Sequence, residues 1–177
     1  SAARQCVAWR QAGLTLTVSV NLSARQFYRD DLAQRISEIV KAEACEPSWI
    51  ELEVTETSLL HDLDAIRKVL HQLRDEGFTV AIDDFGTGYS SLTYLKRAPI
   101  ATLKIDRSFT RDLGRDPEDR AITQAVIAMG QSLGLKTVAE GVESGAGLDL
   151  LRRMGCTLAQ GYAISPPLPW NEVPGFI

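Results

Sequence analysis

The residues of this chain best equipped for chemistry stand at the ends of short apolar-rich runs: Asn21, Glu53 with Glu56, Asp83 with Asp84, Lys104 with Asp106, Glu140 with Glu143, and Gln160. Carboxylates gathered in a partly dry cleft repel one another, and leaving several ionised there is costly unless cations compensate. The two histidines, His61 and His71, fall in one stretch that reads as helix, and Cys6, Cys45 and Cys156 form no CxxC pair. A histidine-rich zinc site and a histidine-based triad are thereby excluded, and the cysteines read as reduced thiols. An all-oxygen donor set selects Mg²⁺ or Mn²⁺. The adjacent Asp83 and Asp84 could serve two ions at once, one carboxylate bridging and its neighbour binding the second. Two cations roughly 3.5–4 Å apart stabilise the attacking and leaving oxygens of an in-line phosphoryl displacement. Lys104 would orient or deprotonate a water nucleophile, or act as a structural counter-ion; the residues alone leave these roles open.

The elements that must position these groups alternate. Strands are predicted at Leu14–Val20, Trp49–Val54, Phe78–Ile82, Ala101–Ile105, Lys136–Ala139 and Cys156–Ala159. Helices are predicted near 2–12, 31–44, 58–76, 90–97, 117–133 and 145–154. Gly13, Gly77, Gly134 and Gly155 sit where helix C-terminal caps belong, and Asp116-Pro117 reads as a cap followed by a first-turn proline. Strands separated by helices imply parallel βαβ units. Within the strands Leu14, Leu16, Val18 and Val20 share one face against Thr15, Thr17, Ser19 and Asn21; the second, third and fourth strands divide in the same way. Such alternation also fits an antiparallel sheet with one wet face. With helices between the strands it favours a barrel, with helices outside and small or charged groups in the lumen, over an open doubly wound sheet. A complete eight-unit barrel takes about 250 residues. The 177 residues here supply about six βα units in a single domain, 1–177, as if the opening units were missing.

Composition narrows the function classes. The chain is 45% hydrophobic and 24% charged, with mean hydropathy −0.07, and no apolar run is long enough to span a bilayer. A net charge of −4 disfavours a DNA or RNA polymer as partner. Asp84-Phe85-Gly86 echoes the magnesium triplet of protein kinases, but no glycine-rich loop or HRD loop accompanies it. Gly86-Thr87-Gly88 lacks the third glycine of a dinucleotide fold. Trp9 and Trp49 read as packing residues.

Several longer strings then stand in one order: Asn21-Leu22-Ser23-Ala24-Arg25-Gln26-Phe27, Glu53-Val54-Thr55-Glu56, Asp83 through Ser91, Leu103 through Phe109, Ala139-Glu140-Gly141-Val142-Glu143, and Gln160-Gly161-Tyr162. Over about residues 1–170 the chain resembles the EAL-domain family of bacterial cyclic di-GMP phosphodiesterases. The resemblance implies a TIM-like (β/α) barrel of the EAL type, here incomplete at its N-terminus, and hydrolysis of cyclic di-GMP to linear pGpG with two Mg²⁺ or Mn²⁺ ions. By position, Asn21, Glu53 and Asp83 would bind the first metal. Asp83 would bridge, and Asp84 and Glu140 would serve the second. Lys104 would act on the nucleophilic water and Gln160 would line the site. Glu56 would anchor the loop Asp84–Ser91, and Glu143 would contact substrate or loop. A homodimer, fusion to sensory or GGDEF-type modules, and a cytoplasmic domain in a protein that is itself membrane-attached in some members are family expectations.

The chain departs from the family in two respects. The Glu-Ala-Leu motif that names it occurs nowhere here; in members it lies upstream of the segment resembling Ser1–Gly13, on an early strand. A second departure is Ser165-Pro166-Pro167, where many members carry a basic residue before the proline. The intact acidic set favours an active phosphodiesterase. A non-catalytic cyclic di-GMP receptor is the alternative, and a purely structural domain would leave the acidic cluster without a use.

Overall fold

Six strands alternate with helices along the chain: β1 (Val18–Leu22), β2 (Ile50–Thr55), β3 (Thr79–Phe85), β4 (Thr102–Ile105), β5 (Lys136–Ala139) and β6 (Leu158–Ala159). The computed structural model describes residues 1–60, 63–88, 95 and 97–177. The strands form one sheet in the order β1-β2-β3-β4-β5-β6, every neighbouring pair parallel. A doubly wound sheet reverses its strand order at a switch point. Here each crossover steps the same way, so right-handed connections place the described crossover helices on one face. The α/β barrel expectation holds and the antiparallel and doubly wound alternatives fall. Among the described residues β1 pairs only with β2, and β6 only with β5.

The helices are α1 (Ala2–Gln11), α2 (Leu32–Ala42), α3 (Leu63–Asp75), α4 (Arg107–Thr110), α5 (Pro117–Leu133), α6 (Gly145–Met154) and α7 (Val173–Phe176). Asp116 caps α5 by accepting from the Glu118 and Asp119 N–H groups, and Gly134 and Gly155 end α5 and α6 in the left-handed conformation. The helix expected at 90–97 lies outside the described residues apart from 95 and 97, as does His61.

Two boundaries differ from the sequence pattern for identifiable reasons. β1 starts at Val18 rather than Leu14 because the preceding backbone closes α1. The N–H of Gly13 donates to the Arg10 carbonyl and that of Leu14 to the Trp9 carbonyl, while Arg10 reaches the Leu16 carbonyl. The helix expected over 58–76 is described over Leu63–Asp75, and residues 58–60 are not part of it. Before it, the Thr55 and Ser58 hydroxyls pair at 2.6 Å and hold a 3₁₀ turn, Glu56–Leu60, the competition that hydroxyl side chains offer to helix.

The core lies between the sheet and the helical layer. Ile50, Leu52, Val54, Val80, Ile82, Leu103 and Ile105 are buried on the helix side. The opposite face carries Glu51, Glu53, Thr79, Ala81, Asp83, Thr102 and Lys104, as the two-residue period requires. α5 approaches β5 so closely that a Cβ at Gly130 would lie 2.5 Å from Thr137 Cγ2. Thr137 cannot give way, since its Oγ1 faces Thr157 Oγ1 at 3.4 Å and accepts from the Thr157 N–H.

In a helix interior Gly→Ala ordinarily gains about 1 kcal/mol. At this contact overpacking costs about 1–3 kcal/mol, so Gly130→Ala is expected to destabilise. Adding Thr137→Ser, which deletes Cγ2 and keeps the hydroxyl, should return the stability. Urea denaturation of the two variants checks this; an unassisted gain from Gly130→Ala would refute the contact.

Candidate active site

At the C-terminal end of the sheet, the Lys104 ammonium on β4 meets three carboxylates from three other places. Nζ lies 2.8 Å from Glu53 on β2, 3.0 Å from Asp83 on β3 and 2.7 Å from Glu140 just past β5. In a flat sheet β2 and β5 would stand about 14 Å apart, three spacings of about 4.8 Å. Both reach one nitrogen only because the sheet curls toward its polar face. The lysine and Glu53 are buried, and Asp83 and Glu140 nearly so.

Asp83 and Asp84 are consecutive and should point to opposite faces of a regular strand. Between Ile82 and Phe85, however, β3 advances three residues while β4 advances two, from Leu103 to Ile105. This bulge, with Asp84 at φ +53°, swings both carboxylates to the same end of the sheet. The Asp84 N–H donates to Asp83 Oδ1 at 3.1 Å. As a result Asp83, Asp84 and Glu140 each offer an oxygen, all within 4.8 Å of one another. Glu140 is placed by its backbone. Its N–H donates to the Ile105 carbonyl at 3.1 Å, and the Thr110 hydroxyl donates to its carbonyl.

The electrostatics follow from this crowding. Burial works to lower the Lys104 pKa, but hydrogen bonds to Glu140, Glu53 and Asp83 outweigh it and hold the group above its ordinary value. Burial raises Glu140, and Lys104 does not fully offset it, because Asp83 and Glu53 also repel its charge. Burial, then Asp83 and Asp106, raise Asp84 as well. Among the described residues, one ammonium against four clustered carboxylates leaves an excess of negative charge, and the oxygen donors suit a hard divalent cation. Among the predicted ligands, Asp83, Asp84 and Glu140 form the tight group, with Glu53 joined through Lys104. Asn21 is the register partner of Glu53, exposed on the edge strand β1.

Glu56 is fully buried and accepts from the Gly86 N–H at 3.0 Å, and a Cβ at Gly88 would lie 3.2 Å from its carboxylate. It therefore meets the first part of the loop predicted for it; Tyr89 to Ser91 lie outside the described residues. Gln160 and Glu143 line a neighbouring cleft of ≈ 450 Å³ with Arg107, Arg111, Tyr162 and Ser165. This cleft needs Gly161, at φ +153°, where a Cβ would strike the Val142 backbone. Neither arginine was given a role from the sequence, although Arg107 stands within the string Leu103 through Phe109. Their helical spacing of four after the strand-end Lys104-Ile105-Asp106 was the available signal. Cys6, Cys45 and Cys156 are free thiols, and burial with the adjacent Cys6 pushes Cys45 up to about 11, leaving it a poor nucleophile.

The chain matches the EAL domain family over residues 1–167. It is 45% identical over 173 residues to the Pseudomonas aeruginosa bifunctional diguanylate cyclase/cyclic di-GMP phosphodiesterase MucR, covering 97% of this chain and 25% of that protein. The chain thus spans about a quarter of the length of such curated relatives. A solved PaMucR phosphodiesterase in complex with c-di-GMP superposes with a TM-score of 0.93 at 44% identity, over 97% of this chain and 70% of that one. Klebsiella pneumoniae BlrP1, solved with manganese and cyclic di-GMP, gives 0.85 at 32% identity, over 94% and 42%.

Replacing Lys104 with Met leaves the clustered carboxylates without their cation. In chelator the variant is expected to lose about 3–5 kcal/mol, the scale for breaking a buried ion pair from one side. Mn²⁺ should raise its melting temperature more than it raises that of the unsubstituted protein. Thermal denaturation with and without Mn²⁺ decides; equal melting in chelator would mean that Lys104 does not hold the cluster together.

Proposed function

Because the chain belongs to the EAL domain family, we propose that it hydrolyses cyclic di-GMP to linear pGpG, water attacking one phosphodiester. The observation that carries this reading is the set of carboxylates converging at one end of the sheet, Asp83, Asp84 and Glu140 within 4.8 Å and Glu53 joined to them by Lys104. Asn21, Glu53 and Asp83 would hold one Mg²⁺ or Mn²⁺, and Asp84 and Glu140 a second, with Asp83 shared. When bound, such ions supply charge stabilisation at the phosphoryl oxygens and a more acidic water. The residues themselves do the rest. Their rigid placement on strand ends fixes the attacking and leaving oxygens in line, and Lys104 reaches the water from the middle of the cluster.

The cleft beside the cluster suits the remainder of the substrate. Arg107 and Arg111 offer guanidinium groups to a phosphate, Tyr162 an aromatic face to a base, and Gln160 and Glu143 hydrogen-bonding edges. The local positive charge answers how a chain of net charge −4 would draw in an anion. A homodimer, a cytoplasmic location and attachment to sensory or GGDEF-type modules belong to the same proposal. The small share of MucR that the chain covers and the cyclase in that protein's name support the attached modules. Among the described residues no helix is long and apolar enough to cross a membrane.

Incubation of the protein with cyclic di-GMP and Mn²⁺ should yield pGpG by chromatography, with loss in chelator and recovery on adding Mn²⁺. Asp83→Asn is expected to lower kcat by about 100-fold or more while leaving KM little changed. Tight binding by calorimetry with no pGpG formed would instead assign a receptor.

A further inference from the structure

Beneath the Lys104 cluster lies a second polar layer. Glu51 stands two residues before Glu53 on β2, and Thr102 two residues before Lys104 on β4, so all four share the inner face. The Thr102 hydroxyl donates to Glu51 Oε1 at 2.7 Å, and the Ser19 hydroxyl of β1 donates to Oε2 at 3.4 Å. Glu51 thus bridges β1, β2 and β4. The strand it crosses, β3, contributes Ala81, fully buried and in register with Glu53 on one side and Thr102 on the other. The methyl leaves room for side chains of β2 and β4 to meet over β3 at two levels, Glu51 with Thr102 and Glu53 with Lys104.

We propose that Glu51 and Thr102 are a positioning pair for the reacting cluster: their hydrogen bond fixes the separation of β2 and β4 across β3 and so holds Glu53 against Lys104. Neither touches a reacting atom. The inference rests on reading the cluster as a divalent-ion centre, and it concerns how this chain sets the spacing of that centre. Groups hydrogen-bonded directly to metal ligands cost about 10–100-fold in metal affinity or activity when removed, and a pair that acts through strand spacing belongs at the lower end of that range.

The test measures Mn²⁺ affinity by electron paramagnetic resonance and, in parallel, kcat and KM for cyclic di-GMP. Glu51→Ala and Thr102→Val are each expected to weaken Mn²⁺ binding about 10-fold and to lower kcat, with KM held. Combining them should add little, since each removes the same bond. Glu51→Gln, whose amide oxygen still accepts from Thr102, and Thr102→Ser, which keeps the hydroxyl, should restore most of both. A residue needed only for folding would shift melting in chelator without this pattern of rescue. Equal Mn²⁺ affinity in Glu51→Ala and the unsubstituted protein overturns the proposal, as does a Glu51→Gln variant as impaired as Glu51→Ala. Should Glu51→Ala fail to fold, Thr102→Val carries the comparison. Failure of the underlying reading shows differently: the unsubstituted protein takes up no Mn²⁺, and the positioning pair then has nothing to position.

Discussion

One ammonium surrounded by carboxylates governs the architecture. Lys104 touches Glu53, Asp83 and Glu140 at 2.7–3.0 Å, drawing on groups that β2, β3 and the end of β5 supply separately. A buried charge left unpaired is far more costly than a buried pair, so the strands must arrive with their ends level and the sheet must curl. The order β1 to β6 without reversal makes that curl possible, because the described crossover helices, α2, α3, α5 and α6, all add to the same outer face. The lumen side can then be polar, and the apolar residues pack outward.

How far the sequence disclosed this depends on which level of structure carried the signal. Two-residue alternation in Ile50–Val54 against Glu51 and Glu53, or Leu103 and Ile105 against Thr102 and Lys104, exposed the two faces and hence the barrel. Glycines 134 and 155 and the Asp116-Pro117 step marked real helix ends. What stayed hidden were features decided by contacts distant along the chain. The start of β1 depends on how α1 closes its last turn, and the division of the helix before Leu63 depends on a Thr55–Ser58 hydroxyl pair. Gly130 reads as a weak point in a helix until Thr137 of the neighbouring strand is seen against it.

The candidate site shows the same division. Asn21, Glu53, Asp83, Asp84, Lys104, Glu140 and Gln160 were readable as polar groups at strand ends, and four of the carboxylates do gather. Strict alternation nevertheless places Asp83 and Asp84 on opposite faces, a contradiction in the sequence that only the bulge before Phe85 resolves. Two adjacent acids at the end of an otherwise regular strand are in that sense a bulge signal. Arg107 and Arg111 were harder to find, since arginines on a short exposed helix look like ordinary surface until the loop after β6 closes the cleft beside them.

The positive φ of Asp84 is the point where fold and chemistry pull apart. A left-handed aspartate is tolerated locally, since its short side chain can hydrogen-bond nearby backbone, yet it carries strain that glycine would avoid. Glycine would relieve the backbone and remove the carboxylate. The surrounding contacts show how the strained form is held. Gly86 follows at φ +102°, its N–H fixed by the buried Glu56 and its Cα pressed to within a methyl's width of Phe109. On the other side Ile82 and Phe85 anchor the bulge in the core, both buried. Each fully buried apolar side chain contributes about 1.5–3 kcal/mol, enough for the flanks to outweigh a local strain of order 1–3 kcal/mol. The outer, apolar face of the barrel thus supplies the stability that lets the inner face keep an unfavourable backbone where the acidic cluster needs it.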